Sequence, residues 1–452
     1  MRTPPAAQHY WYRAEQGRVR HRVRVAALWL VLPAAIIALF RGTQMWFGYP
    51  SSQTENAQND PFLMQLVLYS IVPFVVATMV VLPTMAFRSL VRLGPLTLLL
   101  LILLVLSVLT SVNPMQSARG LAAPIVLALP MIFVVGQFGA TTAFRWMRLF
   151  VAVALVINFV YLAVFPQYAI MSGSLSGSFR GMFQHKNLFG AWCGVAFVLL
   201  LPPDFDIRRW DRLIRLILCC FAVAGAVLSK SSTAILLVIM GGATLFVAGF
   251  LARIDHRGAR GILFATAFIG GIVIVGGLGQ LLVAEVAGQF GKDVTLSGRS
   301  EIWEALWPVA LDKPWTGHGF AMFRQTSYLQ QFVTSIAWGP RSTHNTYIEI
   351  VLNSGFPALF VWMAIIVAAV FRGVLLIDLR RPDYVALQKS LAVIVQVLLC
   401  SMSEAGQMLA PHPVWPVLVA SLYSIAIADG TRRRIAFRPA VPARSPSDPI
   451  AA

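Results

Sequence analysis

Arg180, His185 and Lys186 fall in one short run, MSGSLSGSFRGMFQHKN (171–187), whose glycines and serines let the backbone turn freely. A guanidinium can clamp phosphate oxygens in pairs and an ammonium adds a mobile charge, so two cations and an imidazole in such a loop suit an anionic ligand. Anchoring of both cations to lipid headgroups accounts for the same composition equally well. Lys230, in Ser229-Lys230-Ser231-Ser232, is an isolated cation between two apolar runs. It either faces the same ligand or anchors its turn at the membrane surface.

A second polar stretch runs from Ser297 to Gly355. In RSEIWEALWPVA, Ile302, Trp303, Leu306, Trp307 and Ala310 recur at helical spacing and oppose Arg299, Glu301 and Glu304, which predicts an amphipathic helix on the membrane surface or capping the bundle. KPWTGHGF then breaks the helix, and its two glycines read more readily as a turn than as a close backbone approach. Further on, Thr343 is the predicted N-cap of the next helix, with His344 in its first turn beside Arg341. His344 is either a structural hydrogen-bonding residue or a proton acceptor. Glu349 lies five residues into that apolar helix, where an ionisable group is costly, so a functional role and a basic partner are expected. Glu404 has the same claim in weaker form. The seven histidines are scattered, with no HxxxH or paired carboxylates at ligand spacing, so no metal site is expected.

The elements that must position these residues are membrane helices. Of 452 residues, 58% are hydrophobic and 12% charged, the balance of an all-α polytopic membrane protein. The net charge of +18 does not gather on one face or domain, which excludes a nucleic-acid binder; the basic residues sit between apolar runs. At roughly twenty apolar residues per crossing, about twelve spans are predicted. They run over 23–40, 62–86, 95–112, 121–140, 147–165, 188–203, 213–229, 233–252, 261–284, 344–371, 384–404 and 413–429. A large external loop, 285–343, separates spans nine and ten. Arginines in alternate connections put both termini in the cytoplasm. Residues 1–22 then form a cytoplasmic tail, 23–429 the transmembrane domain, and 430–452 a disordered tail rich in Pro and Ala. The N-terminal apolar run reads as an uncleaved anchor, because about two dozen polar and basic residues precede it. Cys193, Cys219, Cys220 and Cys400 fall inside apolar runs, as reduced packing residues would.

Three separated pieces, FRGMFQHKN, SGRSEIWEALWPVALDKPWTGHGFAMF and THNTYIEIVLNSGFPALF, together resemble the bacterial O-antigen ligase and Wzy-type polysaccharide polymerase superfamily. The resemblance is specific over residues 180–360 and extends to the whole chain in topology. It implies an inner-membrane, metal-independent glycosyltransferase of GT-C type. Such an enzyme works on the periplasmic face, takes a glycan from undecaprenyl diphosphate, and inverts the anomeric centre. The acceptor is another lipid-linked glycan or lipid A-core; FQHKN is more similar to the exopolysaccharide-polymerising members. Carried over by residue, Arg180 contacts the donor diphosphate, with Lys186, Lys230 and Arg341 as further candidates. Arg299 and His344 stand near the reacting sugar, supported by His185, Asn345 and Glu349. Many relatives carry a cation where this chain has Ser232, so Lys230 is an expected substitute. No cofactor is implied; membrane lipids and polysaccharide chain-length or export proteins are the expected partners. A lipid-linked oligosaccharide transporter is the competing class, disfavoured because few polar residues stand in mid-span.

Overall fold

In a computed structural model the protein is described over residues 5–43, 45, 62–202, 208–267, 269–270, 299–336, 339–340, 342–406 and 412–436. Among these residues the chain is helical, and its β content is a single bridge, Ile170 to Phe179. The principal helices are α1 (Pro5–Thr43), α2 (Phe62–Val81), α3 (Pro83–Val91), α4 (Pro95–Leu109), α5 (Pro114–Phe138), α6 (Ala140–Val164), α7 (Lys186–Leu200), α8 (Arg209–Leu228), α9 (Ser232–Leu251), α10 (Arg299–Asp312), α11 (Thr346–Leu376), α12 (Tyr384–Cys400) and α13 (Trp415–Ala436). A shorter helix covers 257–267.

Each predicted span, where described, falls on a helix. Among the described residues six helices are long and apolar enough to cross a bilayer, and a seventh crossing exists if α3 and α4, bent by 91° at Arg92–Gly94, form one span. The expected twelve would require the shorter helices α7, α12 and Trp415–Ala428, the charge-bearing α8, and the run 261–284, most of which lies outside the described residues. The outer faces fit a lipid solvent: Val80, Leu109 and Phe246 are each at least 70% exposed.

The centre of the bundle is α12, whose residues Ala386 to Val397 are all buried. Its core position explains why a short helix carries polar side chains. Gln396 donates through Nε2 to the Gly194 carbonyl (2.9 Å) on α7 and the Leu237 carbonyl (2.7 Å) on α9, joining three helices. Lys389 donates to the carbonyls of Leu199 and Leu201, satisfying the C-terminal end of α7 with a cation. Helices α7 and α9 pack so closely that a Cβ on Gly190 or Gly194 would stand 2.6 Å from the Cβ of Ala234 or Leu237, the small-residue contact favoured between membrane helices. These buried polar groups were not singled out by the sequence. They bind backbone carbonyls and hold helices together.

Helix α11 is broken. Gly355 has φ 79° and ψ 170°, so a short outer piece beginning at Thr346 is set at an angle to the longer run that follows. The segment Pro314–Gly319 lies across the break: Phe356 N–H donates to the Pro314 carbonyl (2.8 Å), His318 N–H to Leu352 (2.8 Å) and Gly319 N–H to Asn353 (3.1 Å). A Cβ on Gly317 would stand 2.3 Å from the Ser354 nitrogen, and one on Gly355 would stand 2.5 Å from the Trp315 carbonyl carbon. The glycines of KPWTGHGF therefore serve a close backbone approach, which corrects their reading as a plain turn. His318 is locked there as well. Its Nε2 donates to the Val309 carbonyl (2.9 Å), and its Nδ1 accepts from the Tyr328 hydroxyl (3.2 Å).

Candidate functional site

Helix α10 is amphipathic as predicted. Its stripe Ile302, Leu306 and Ala310 is buried against Met322, Phe323 and Leu352, so the helix caps the bundle and orients Arg299 at its first position. Trp303 Nε1 donates to the Thr343 carbonyl (2.9 Å), tying α10 to the segment that carries His344.

The cap of α11 differs from expectation. Asn345, not Thr343, is the N-cap: its Oδ1 accepts from Tyr347 N–H (2.9 Å) and Ile348 N–H (3.1 Å). Two donors are satisfied by one short carbonyl side chain, which a threonine two residues earlier could not reach. His344 consequently stands before the helix, in a left-handed conformation with φ 47°. That conformation costs a non-glycine residue about 1 kcal/mol or more.

The end of α12 closes the site. Thr346 N–H donates to the Ser401 carbonyl (2.9 Å), Thr346 Oγ1 to the Glu404 carbonyl (2.7 Å), and Asn345 Nδ2 to Met402 (3.4 Å), so the turn 401–406 is fastened to the start of α11. This places the Glu404 carboxylate between two of the expected motifs. Its Oε1 accepts from Arg299 Nη2 (3.4 Å) and from Asn187 Nδ2 (3.0 Å). Burial raises the Glu404 carboxyl to about 7, opposed by Arg299, Lys186 and Asn187. Burial lowers both imidazoles to about 4, His344 with help from Arg299 and His185, and His185 with help from Lys186 and Arg180. Both rings are therefore neutral at ordinary pH. His185 is the N-cap of α7, where its Nδ1 accepts from Asn187 N–H (3.2 Å).

Arg299, Asn187 and Lys186 thus meet at Glu404, and His344 joins the same cluster through its neighbours Arg299 and His185. Lys230 joins them at the edge: Lys186 Nζ donates to the Lys230 carbonyl (3.1 Å), and Lys230 Nζ reaches the Ser176 carbonyl (3.5 Å) in the glycine-rich loop. Arg180 is buried and donates to the carbonyls of Tyr168 (3.2 Å) and Gln184 (3.4 Å), so it braces that loop from within. Glu349 is set apart, buried and paired with Arg324 Nε at 2.5 Å, while the Arg324 guanidinium also lies over the Phe320 ring. Arg341 and residues 285–298 of the loop lie outside the described residues. Glu404 is the group that the sequence understated. Its signal was an acid at the end of an apolar run; its partners are 105 and 217 residues away. Among the described residues no group of three His, Cys, Asp or Glu could hold a metal.

What this architecture defines is a polytopic membrane protein with a cluster of buried ionisable side chains at one end of a helical bundle. Residues 217–363, about a third of the chain, match the family model described as O-antigen ligase, Wzy_C. The chain is also similar to the exopolysaccharide production protein ExoQ of Rhizobium meliloti (strain 1021), 26% identical over 219 residues. That match covers 46% of this chain, which spans about half the length (50%) of this relative.

Proposed function

We propose that the protein transfers a glycan from a polyprenyl diphosphate carrier, undecaprenyl diphosphate in bacteria, to a hydroxyl of an acceptor glycan. The reaction takes place at the end of the bundle formed by α7, α10, α11 and the turn after α12; the arginine-rich connections at the opposite ends of the helices support a periplasmic position for it. The gathering of Arg299, His344, His185 and Lys186 into one cluster with Glu404 is the observation that carries this reading.

The acceptor oxygen attacks the anomeric carbon as the bond from that carbon to the diphosphate oxygen breaks, and the bonding pair leaves with the diphosphate. Lys186 and Lys230, with Arg299, stabilise the charge that develops on the leaving group. His344, held neutral by burial and by Arg299, takes the hydroxyl proton. The arriving diphosphate raises the affinity of the imidazole for that proton, because neighbouring negative charge favours the imidazolium. A single direct displacement inverts the anomeric centre. No cofactor or metal takes part in these steps. Likeness to ExoQ favours polymer growth, on which the acceptor is a second lipid-linked unit. The family's description favours ligation, on which it is lipid A-core.

The test is glycosidic bond formation by purified protein in detergent, with Arg299→Ala and His344→Ala alongside. Transport cannot be scored without a second compartment, so product formation separates transfer from transport. Product from both variants at the wild-type rate would refute the assigned chemistry. In cells, accumulated single repeat units indicate a lost polymerase, and accumulated carrier-linked polymer a lost ligase.

A further inference from the structure

Away from that site, a groove of about 350 Å³ runs along α4, α5, α11 and α13 from Phe320 at one end to Leu93, Gly94 and Arg372 at the other. Its lining is almost wholly aliphatic and aromatic, with Trp362 and Trp415 against its floor. Ser107 Oγ, which donates to the Asn353 carbonyl near the break in α11, fixes the antiparallel pairing of α4 and α11, so Pro95 and Arg372 share the opposite end. There the 91° bend turns α3 across the end of the groove. Helix α3 buries Met85, Ala86 and Ser89 and exposes Phe87, Arg88 and Val91; Arg92, just past it, is also exposed and reaches the Tyr423 hydroxyl. Arg88, Arg92 and Arg372 are thus three exposed cations around one end of an apolar channel. No acidic partner to them is found among the described residues.

We propose that this groove is a binding site for an anionic phospholipid of the leaflet at the α3 end, with one acyl chain along α4 and α11 and the phosphate at Arg92 and Arg372. Charge complementarity identifies the occupant. A zwitterionic lipid would gain little from three cations with no acid among them, whereas an anionic headgroup gains about fivefold in affinity per arginine near the surface. A carrier lipid with its diphosphate at Lys186 and Lys230 is the poorer fit, because neither α7, α9 nor α12 contributes to the lining. The Gly94–Pro95 break supplies an open shoulder for the headgroup, with nothing near a Cβ built on Gly94.

Full-length protein in detergent, given equal amounts of phosphatidylglycerol and phosphatidylcholine with identical chains, tests this by native mass spectrometry. Phosphatidylglycerol is expected to be retained about fivefold or more over phosphatidylcholine. The ratio should fall close to one in Arg88→Gln/Arg92→Gln/Arg372→Gln, or part of the way in any single variant if the triple variant does not survive purification. Phosphatidylglycerol brominated in the chain should quench wild-type tryptophan fluorescence more than that of Trp362→Phe, locating the chain in the groove. A wild-type ratio near one, an unchanged ratio in the arginine variants, or equal quenching in Trp362→Phe would overturn the proposal. So would displacement of phosphatidylglycerol by an equal amount of polyprenyl phosphate with the arginine variants unaffected.

Discussion

Replacing Glu404 by Gln isolates the charge of the carboxylate from its shape. The amide oxygen can still accept from Asn187 Nδ2 and Arg299 Nη2, the two bonds that Glu404 Oε1 accepts. What disappears is the ionised acceptor and its titration near 7. A hydrogen bond to a charged acceptor exceeds a neutral one by about 1 kcal/mol, so the orientation of Arg299 should weaken by roughly that amount and kcat/KM fall about fivefold. The loss depends on pH in a definite direction. At about pH 8 some nine in ten wild-type carboxyls are ionised and the full difference appears; at about pH 6 some nine in ten are protonated and the two enzymes should converge. The wild-type profile should therefore rise through neutrality, and that limb should be absent from Glu404→Gln. Initial rates of bond formation by purified protein across this range provide the measurement. A variant that keeps the rising limb refutes the assignment of that ionisation to Glu404. A loss of a hundredfold or more at every pH refutes a purely orienting role and makes the carboxylate a proton acceptor in its own right.

Arg324→Ala leaves the buried Glu349 carboxylate without its cation and should destabilise the fold by about 3–5 kcal/mol, read as a lower melting temperature in detergent; adding Glu349→Leu should recover much of the loss. Gly317→Ala places a methyl group against the Ser354 nitrogen at φ +66° and should cost at least about 2 kcal/mol, visible as reduced yield of membrane-inserted protein. Dialysis against a chelator should leave the rate of glycan transfer unchanged; loss of activity restored by a divalent cation would contradict metal-independent transfer.

The parts of this molecule legible in the sequence were those encoded within one helix turn or one motif. The stripe Ile302, Leu306, Ala310 declared both the helix and its buried face, because amphipathicity is a local periodicity. Arg299 and His344 were singled out through the motifs that carry them, and the fold does bring the two side chains close to one another. The remainder depended on distant partners. Whether Thr343 or Asn345 caps α11 is decided by the turn 401–406, which fastens to Asn345 and Thr346. Arg324 carried no motif, and only the fold brings it to Glu349. Gln396 and Lys389 carried no motif either, and only the fold sets beside them the carbonyls they serve at α7 and α9.

Breaking a helix inside a bundle sets main-chain carbonyls loose, and at α11 those of Leu352 and Asn353 are met by the amides of His318 and Gly319. The loop that supplies them cannot lift away without stranding both partners in a place water does not reach. It is therefore masonry, not a door. On the proposed reading, donor and acceptor would then enter past the turn at Lys230, which meets the glycine-rich loop through the long side chains of Lys186 and Lys230, and the order in which they bind should be sensitive to changes on that side of the site.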